Sequence, residues 1–303
     1  MSSPPGGLLT GLRSSRRRQR QLKRLVIYLV AAVLILFALF PVVWIISASL
    51  NPANSLATQT LIPPRASLVN YRMLLTDPNF TRVYPFLRWM GNSIKLASLT
   101  TLISISITTM AAYAFSRFRF RQRQNMLRGI LVIQVFPNLL VMVAVFLLIQ
   151  QIGGVLPAFG LNTHSGLILA YLGGAMGINI WLMKGYFDSI PREIDESAMV
   201  DGATHWQIFT RLLLPLMRPI IVVVAVLSFI FVYGDFVMAR ILLKTTEQYP
   251  MTVGLFIFTS GQFAQQWGVF AAGALIGALP IVVLYLVLQD QIIGGLTQGA
   301  VKG

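Results

Sequence analysis

The sequence predicts an all-α integral membrane protein with six transmembrane helices and both termini on the cytoplasmic side (N-in, C-in). Three observations predict it. Only 11% of the 303 residues are charged, against about 25% in soluble domains. Mean hydropathy is +0.73, and a soluble chain this apolar would expose large adhesive patches. Cations also gather beside alternate apolar spans, as the positive-inside rule requires of cytoplasmic flanks.

The elements follow in order. Residues 1–24 carry Pro, Gly and Ser, then seven cations between Arg13 and Arg24, and read as a basic, disordered cytoplasmic N-terminus. The apolar run 25–47 gives about 34 Å of helix, enough to cross a bilayer core. It exceeds the apolar region of a signal peptide and is read as an uncleaved first helix. An outer loop, 48–90, has Pro63, Pro64, Asp77 and Pro78 as turn residues. A core domain, 91–289, holds five spans at 91–115, 127–150, 166–186, 217–239 and 267–289, and 290–303 is a cytoplasmic tail.

The charges set the orientation. Arg117, Arg119, Arg121 and Arg123 place 116–126 inside with 187–216, and 151–165 has no Lys or Arg. Four Arg in 48–90 are a mild departure from the rule. Pro137 and Pro280 are expected to kink the third and sixth spans. Gly173, Gly174, Gly177, Gly273 and Gly277 read as helix-packing positions.

Composition also excludes chemistry. The net charge of +15 sits at membrane flanks, so it points to anionic membrane lipid and not to nucleic acid. Without cysteine, and with only His164 and His205, there is no ligand set for a metal, and both histidines read as surface residues. No G-x-x-x-x-G-K-[ST] phosphate loop exists, so the chain is not expected to bind ATP in that manner and no cofactor is expected. Asp235 is the one acid plausibly inside a span. It is either an interfacial or partner-paired acid or a residue lining a solute pathway. Lys95, at the outer start of the second span, can snorkel.

The most informative stretch is 189–215, a polar loop between two apolar spans. Ser189 and Pro191 suit a helix start, and Glu193, Asp195 and Glu196 lie at the positive end of the resulting dipole. Gly202 should break this helix near Val200. Thr204, with Gln207 three residues on, forms a capping-box pattern for a second helix. Trp206, Phe209 and Leu213 would line one face, and Leu214-Pro215 turns the chain toward the fifth span. Two short angled helices joined by a glycine form a docking element for a soluble partner.

The order Glu196-Ser197-Ala198, three residues, Gly202, nine residues, Leu212, one residue, Leu214-Pro215 resembles the EAA loop of permease subunits of ATP-binding-cassette (ABC) importers. Ser197 replaces one Ala and Leu212 replaces Ile. Gly91-Asn92-Ser93-Ile94 and the run Ala112–Phe120, AYAFSRFRF, are similar to the same family. The ending Gly294–Gly303, GGLTQGAVKG, resembles that of carbohydrate permeases of the maltose (MalG-like) type, with Gln298 and Ala300 as departures. The resemblance covers residues 25–303.

It implies a type I ABC importer permease fold and a non-catalytic subunit of a binding-protein-dependent, ATP-driven sugar importer in the bacterial inner membrane. It further implies that Glu196, Ser197, Ala198, Asp201, Gly202, Leu212, Leu214 and Pro215 dock on a MalK-like ATPase dimer, which would bind ATP and Mg. Gly295, Thr297, Gln298 and Gly299 would enter the ATPase interface. A MalF-like second permease and an extracytoplasmic sugar-binding protein would complete the assembly. In the maltose relative the outer loop corresponding to 259–266 reaches toward the binding protein's sugar site; the same insertion is not expected of this short polar segment. The alternatives are an ion-coupled secondary transporter and a membrane scaffold.

Overall fold

The computed structural model describes the backbone of residues 8–55, 60–261 and 265–300, and every regular element among them is a helix. Helix α1 (Leu8–Ser49) begins well inside the basic segment expected to be disordered. Leu, Arg and Gln are good helix formers and continue the register of the apolar run. Its Gln21–Ser49 portion is long and apolar enough to cross a membrane. Side chains from Leu22 to Val43 are almost all exposed, as a lipid-facing helix requires, and α1 packs on α14.

The outer loop contains α2 (Val69–Thr76) and α3 (Pro78–Val83). Asp77 is an N-cap, accepting from the Asn79 and Phe80 amides at 2.9 and 3.3 Å. Pro78 occupies the first helical position, where its missing N–H costs nothing. The dipeptide expected to make a turn therefore starts a helix.

Helix α4 (Phe86–Arg117) is the central strut, packed on α7 and α11. The third span is broken into α5 (Arg123–Val135) and α6 (Asn138–Val155), with Arg123–Val135 and Leu140–Val155 meeting at 107°. Pro137 lies in the break and disfavours helix in the residue before it. Helix α7 (His164–Ser189) bends by 51° beside Gly173-Gly174.

Next come α8 (Glu193–Val200), α9 (His205–Gln207), a wide i→i+5 turn over Ile208–Leu213 and α10 (Leu214–Leu216). Helix α11 (Arg218–Gly234) follows at 75°. It ends before the expected limit of 239, and α12 (Val237–Leu242) is separate. Between the expected fifth and sixth spans lies α13 (Met251–Ser260), whose Val253, Leu255 and Phe258 are buried. A ten-residue apolar helix is too short to span and belongs in the core. Helix α14 (Trp267–Ala300) contains Pro280. Among the described residues, three long helices and three bent pairs give up to six spans.

The outer core gathers Phe86, Trp89, Phe258 and Val269, and the inner core Phe187, Ile208, Phe209, Leu213 and Met217. Between them Asn179 of α7 donates to Ser228 Oγ of α11 at 3.1 Å and reaches Ser104 Oγ of α4 at 3.5 Å. Such interhelical bonds contribute about 0.6 kcal/mol each in bilayers. At Gly277, a Cβ would collide with Met251 Sδ, and the Tyr233 hydroxyl donates to the Gly277 carbonyl at 2.8 Å. Gly177 and Gly273 are similarly crowded, whereas Gly173 and Gly174 face open space.

Candidate functional site: an angled helical knuckle

Helix α8 places Glu193, Asp195 and Glu196 in its first turn. Ser189 does not cap it. Ser189 ends α7, and its hydroxyl donates to the Tyr186 carbonyl at 2.7 Å. The N-cap position belongs to Arg192, without a side-chain cap. The C-terminus closes as the spacing predicts. Gly202 sits at φ +83°, a left-handed conformation that costs other residues about 1–2 kcal/mol, and the Ala203 amide returns to the Ala198 carbonyl at 2.9 Å. The capping box at Thr204 is complete: the Gln207 amide donates to Thr204 Oγ1 at 3.3 Å and the Thr204 amide to Gln207 Oε1 at 2.8 Å.

Glu196, Ser197, Asp201 and Gly202 are exposed on this knuckle and Ala198 is half-buried. At its root Leu212 and Pro215 are exposed and Leu214 is half-buried, while Phe209 and Leu213 are buried. Trp206 is instead 64% exposed and Val200 87% exposed. The knuckle thus exposes apolar Val200 and Trp206 as well as acidic Glu196 and Asp201, a mixed surface on which a partner could dock.

The knuckle is fastened by the AYAFSRFRF run. Arg117, the last residue of α4, pairs with Asp195, with side chains only 7% and 11% exposed. Its Nη2 donates to the Ile190 carbonyl at 3.1 Å. In return Arg192 donates to the Ser116 carbonyl at 3.0 Å, and Ser116 Oγ donates to Asp188 at 2.6 Å. Tyr113 packs on Phe209 at 4.9 Å between ring centres and reaches the His205 carbonyl at 3.3 Å. A cleft of about 90 Å³ remains between Arg117, Arg192, Asp195 and His205.

Burial pushes the Asp195 carboxyl above its ordinary value, although Arg117 and Arg192 pull it down. For Asp188 burial also pushes upward, but bonds from Lys184 and Ser116 and the charges of Lys184 and Arg123 outweigh it and hold it low. The two motifs are far apart in sequence, and neither one's spacing shows the link. The available signal was Arg117, a charge ending an apolar helix.

The other candidate residues lie elsewhere. Asp235 accepts from the Tyr171 hydroxyl at 2.8 Å and from the Ala239 amide at 3.1 Å, so it secures the start of α12. His164 is not a bare surface residue: Nε2 meets the Gln248 carbonyl at 2.9 Å and Nδ1 faces Lys95 Nζ at 3.3 Å. Burial lowers its basicity, and Lys95 and Arg88 lower it further against the Gln248 carbonyl. Gly295, Thr297, Gln298 and Gly299 continue α14 as helix; their side chains, residues 262–264 of the outer segment 259–266, and 301–303 lie outside the described residues.

Residues 104–292, which include the knuckle, match the family described as "Binding-protein-dependent transport system inner membrane component". The maltose/maltodextrin permease MalG of Vibrio vulnificus (strain YJ016) is 40% identical over 272 residues, 88% of this chain and 91% of that protein. MalG of Escherichia coli (strain K12) is 37% identical, and the galactooligosaccharide permease GanQ of Bacillus subtilis (strain 168) 38% identical; each match spans 94% of this chain and 98% of the relative. In the fold, a chain of a bacterial ABC transporter that imports the acidic polysaccharide alginate aligns with TM-score 0.72 at 23% identity, over 90% of this chain and 97% of that one. The chain is a multi-pass inner-membrane protein and belongs to the family of inner-membrane components of binding-protein-dependent transport systems.

Proposed function

We propose that this chain is the permease subunit of an ATP-driven importer for a neutral oligosaccharide of the maltodextrin class. It forms half of the solute path beside a MalF-like permease and receives sugar from a periplasmic binding protein. The knuckle Glu193–Gln207 seats in a MalK-like ATPase. Closure of that ATPase dimer on ATP moves the knuckle, and the stroke reaches α4 and α7 through the Arg117, Arg192 and Ser116 contacts, opening the path outward. The Gly295–Gly299 tail is proposed to enter the ATPase interface. No bond is made or broken in this chain.

The observation that carries this reading is the knuckle itself, an exposed apolar and acidic surface rigidly joined to the ends of two membrane helices. An ion-coupled carrier would need an intramembrane carboxylate free to bind cations, and Asp235 is engaged by Tyr171 and the Ala239 amide. The test is uptake of labelled maltodextrins into proteoliposomes holding the co-expressed transporter and its binding protein. The proposal expects uptake that requires ATP on the knuckle side. Uptake driven by an ion gradient without ATP would overturn it.

A further inference from the structure

The loop between α4 and α5 forms an open cleft of about 600 Å³ lined by Arg119, Phe120, Arg121, Arg123, Gln124 and Asn125. Among the described residues the ion pairs are Arg117–Asp195 and Lys184–Asp188, so Arg119 and Arg121 have no carboxylate partner there. Arg123 acts on Asp188 only through its field. Guanidinium groups crowded without a counter-charge repel one another and form a receptor for an oxyanion. Their planar forks match phosphate oxygens, and the amides of Gln124 and Asn125 add neutral donors.

The cleft does not open onto a polar surface alone. Phe118 and Phe120 beside it are exposed, and α5 leads away from it with Met126, Leu131, Val132 and Ile133 exposed. An open basic cleft at the start of a helix that exposes apolar side chains farther along fits one amphipathic molecule. A free phosphate, or an acidic segment of a soluble protein, would satisfy the arginines and leave the slope bare.

We propose that this cleft is a headgroup site for an anionic phospholipid, whose acyl chains lie along α5. The site rests on the reading that 116–126 lies at the inner membrane surface. It would tether the loop that begins at Arg117, the residue holding Asp195, so an occupied site would steady the anchor of the knuckle.

The experiment compares the wild-type chain with Arg119→Gln/Arg121→Gln/Arg123→Gln, each purified from nanodiscs containing phosphatidylglycerol and phosphatidylethanolamine, with retained lipid measured by native mass spectrometry. Each guanidinium near a membrane surface contributes about fivefold to the preference for anionic lipid. The proposal expects wild type to retain phosphatidylglycerol over phosphatidylethanolamine, and the triple variant to lose that preference while keeping its helical content. An excess of inorganic phosphate should not displace the lipid. Equal retention of both lipids by wild type, unchanged retention by the variant, or displacement by phosphate would overturn it. So would a variant that loses a co-purified ATPase and keeps its lipid, since the cleft would then serve a protein. Because the chain has no cysteine, Gln122→Cys labelled by a membrane-impermeant reagent in spheroplasts reports the orientation separately.

Discussion

Replacing Arg117 with alanine removes the partner of Asp195 and the donor to the Ile190 carbonyl in one step. Breaking a fully buried ion pair costs about 3–5 kcal/mol, mostly by stranding the remaining charge. Here the pair borders a small cleft that can admit water, so the low end applies, about 3 kcal/mol. That is a shift of about a hundredfold in the balance between seated and loosened knuckle. Hydrogen exchange followed by mass spectrometry on peptides covering 190–207 should show protection falling by about that factor, while peptides from α11 keep theirs. ATP-driven uptake should fall with it, with membrane insertion preserved. Asp195→Asn should cost less, about 1–2 kcal/mol, because burial already disfavours the charged carboxylate. Arg117→Met with Asp195→Leu should recover much of the protection, since apolar replacement of a buried pair is close to neutral. Full protection and full transport in Arg117→Ala would show that the pair does not fasten the knuckle.

Gly202→Val should cost about 1–2 kcal/mol from its positive φ alone, reducing recovery of the assembled transporter with no loss of the inserted chain; unchanged assembly would count against the knuckle geometry. Asp188 is held below its ordinary value, so its stabilising effect is present near neutral pH and lost as pH falls through its folded value. The gap in thermal stability between wild type and Asp188→Asn should therefore close on acidification. His164 is also shifted downward, so the folded chain binds its proton less readily than the unfolded one. Stability should fall as pH drops below about 6.5, the ordinary imidazole value, and His164→Gln should flatten that dependence. Asp235→Ala leaves the Tyr171 hydroxyl and the Ala239 amide unpaired and should cost about 1–3 kcal/mol with the sugar concentration for half-maximal uptake unchanged. A changed sugar dependence at unchanged stability would make Asp235 a pathway residue.

The helical membrane fold was legible because its signal is long-range and one-dimensional: apolar runs of membrane length with cations at alternate ends. The knuckle was legible for a different reason. Its boundaries are set by local chemistry, a glycine at positive φ and a Thr–Gln capping box, and both lie within a few residues of what they control. Two kinds of feature escaped. Short outer helices such as α3 and α13 are not legible in sequence, because Asp77-Pro78 suits a turn and a helix start equally, and because a ten-residue apolar segment gains helicity only from tertiary packing. The Arg117–Asp195 and Ser116–Asp188 links escaped because they join residues more than seventy positions apart, brought together only when α4 and α7 lie side by side. The break at Pro137 was anticipated as a kink, but its angle of 107° depends on what α5 and α6 pack against.

Seating of the knuckle in a separate ATP-hydrolysing subunit is open to cross-linking from Val200, one of its exposed apolar residues. Val200→Cys, giving the chain a single thiol, would be treated with a short bifunctional reagent in membranes containing the whole transporter. A seated knuckle should give a cross-link to a subunit carrying a nucleotide-binding phosphate loop, with a yield that changes when ATP is added. No such adduct, or labelling of the introduced thiol by an impermeant reagent from the periplasmic side, would contradict it.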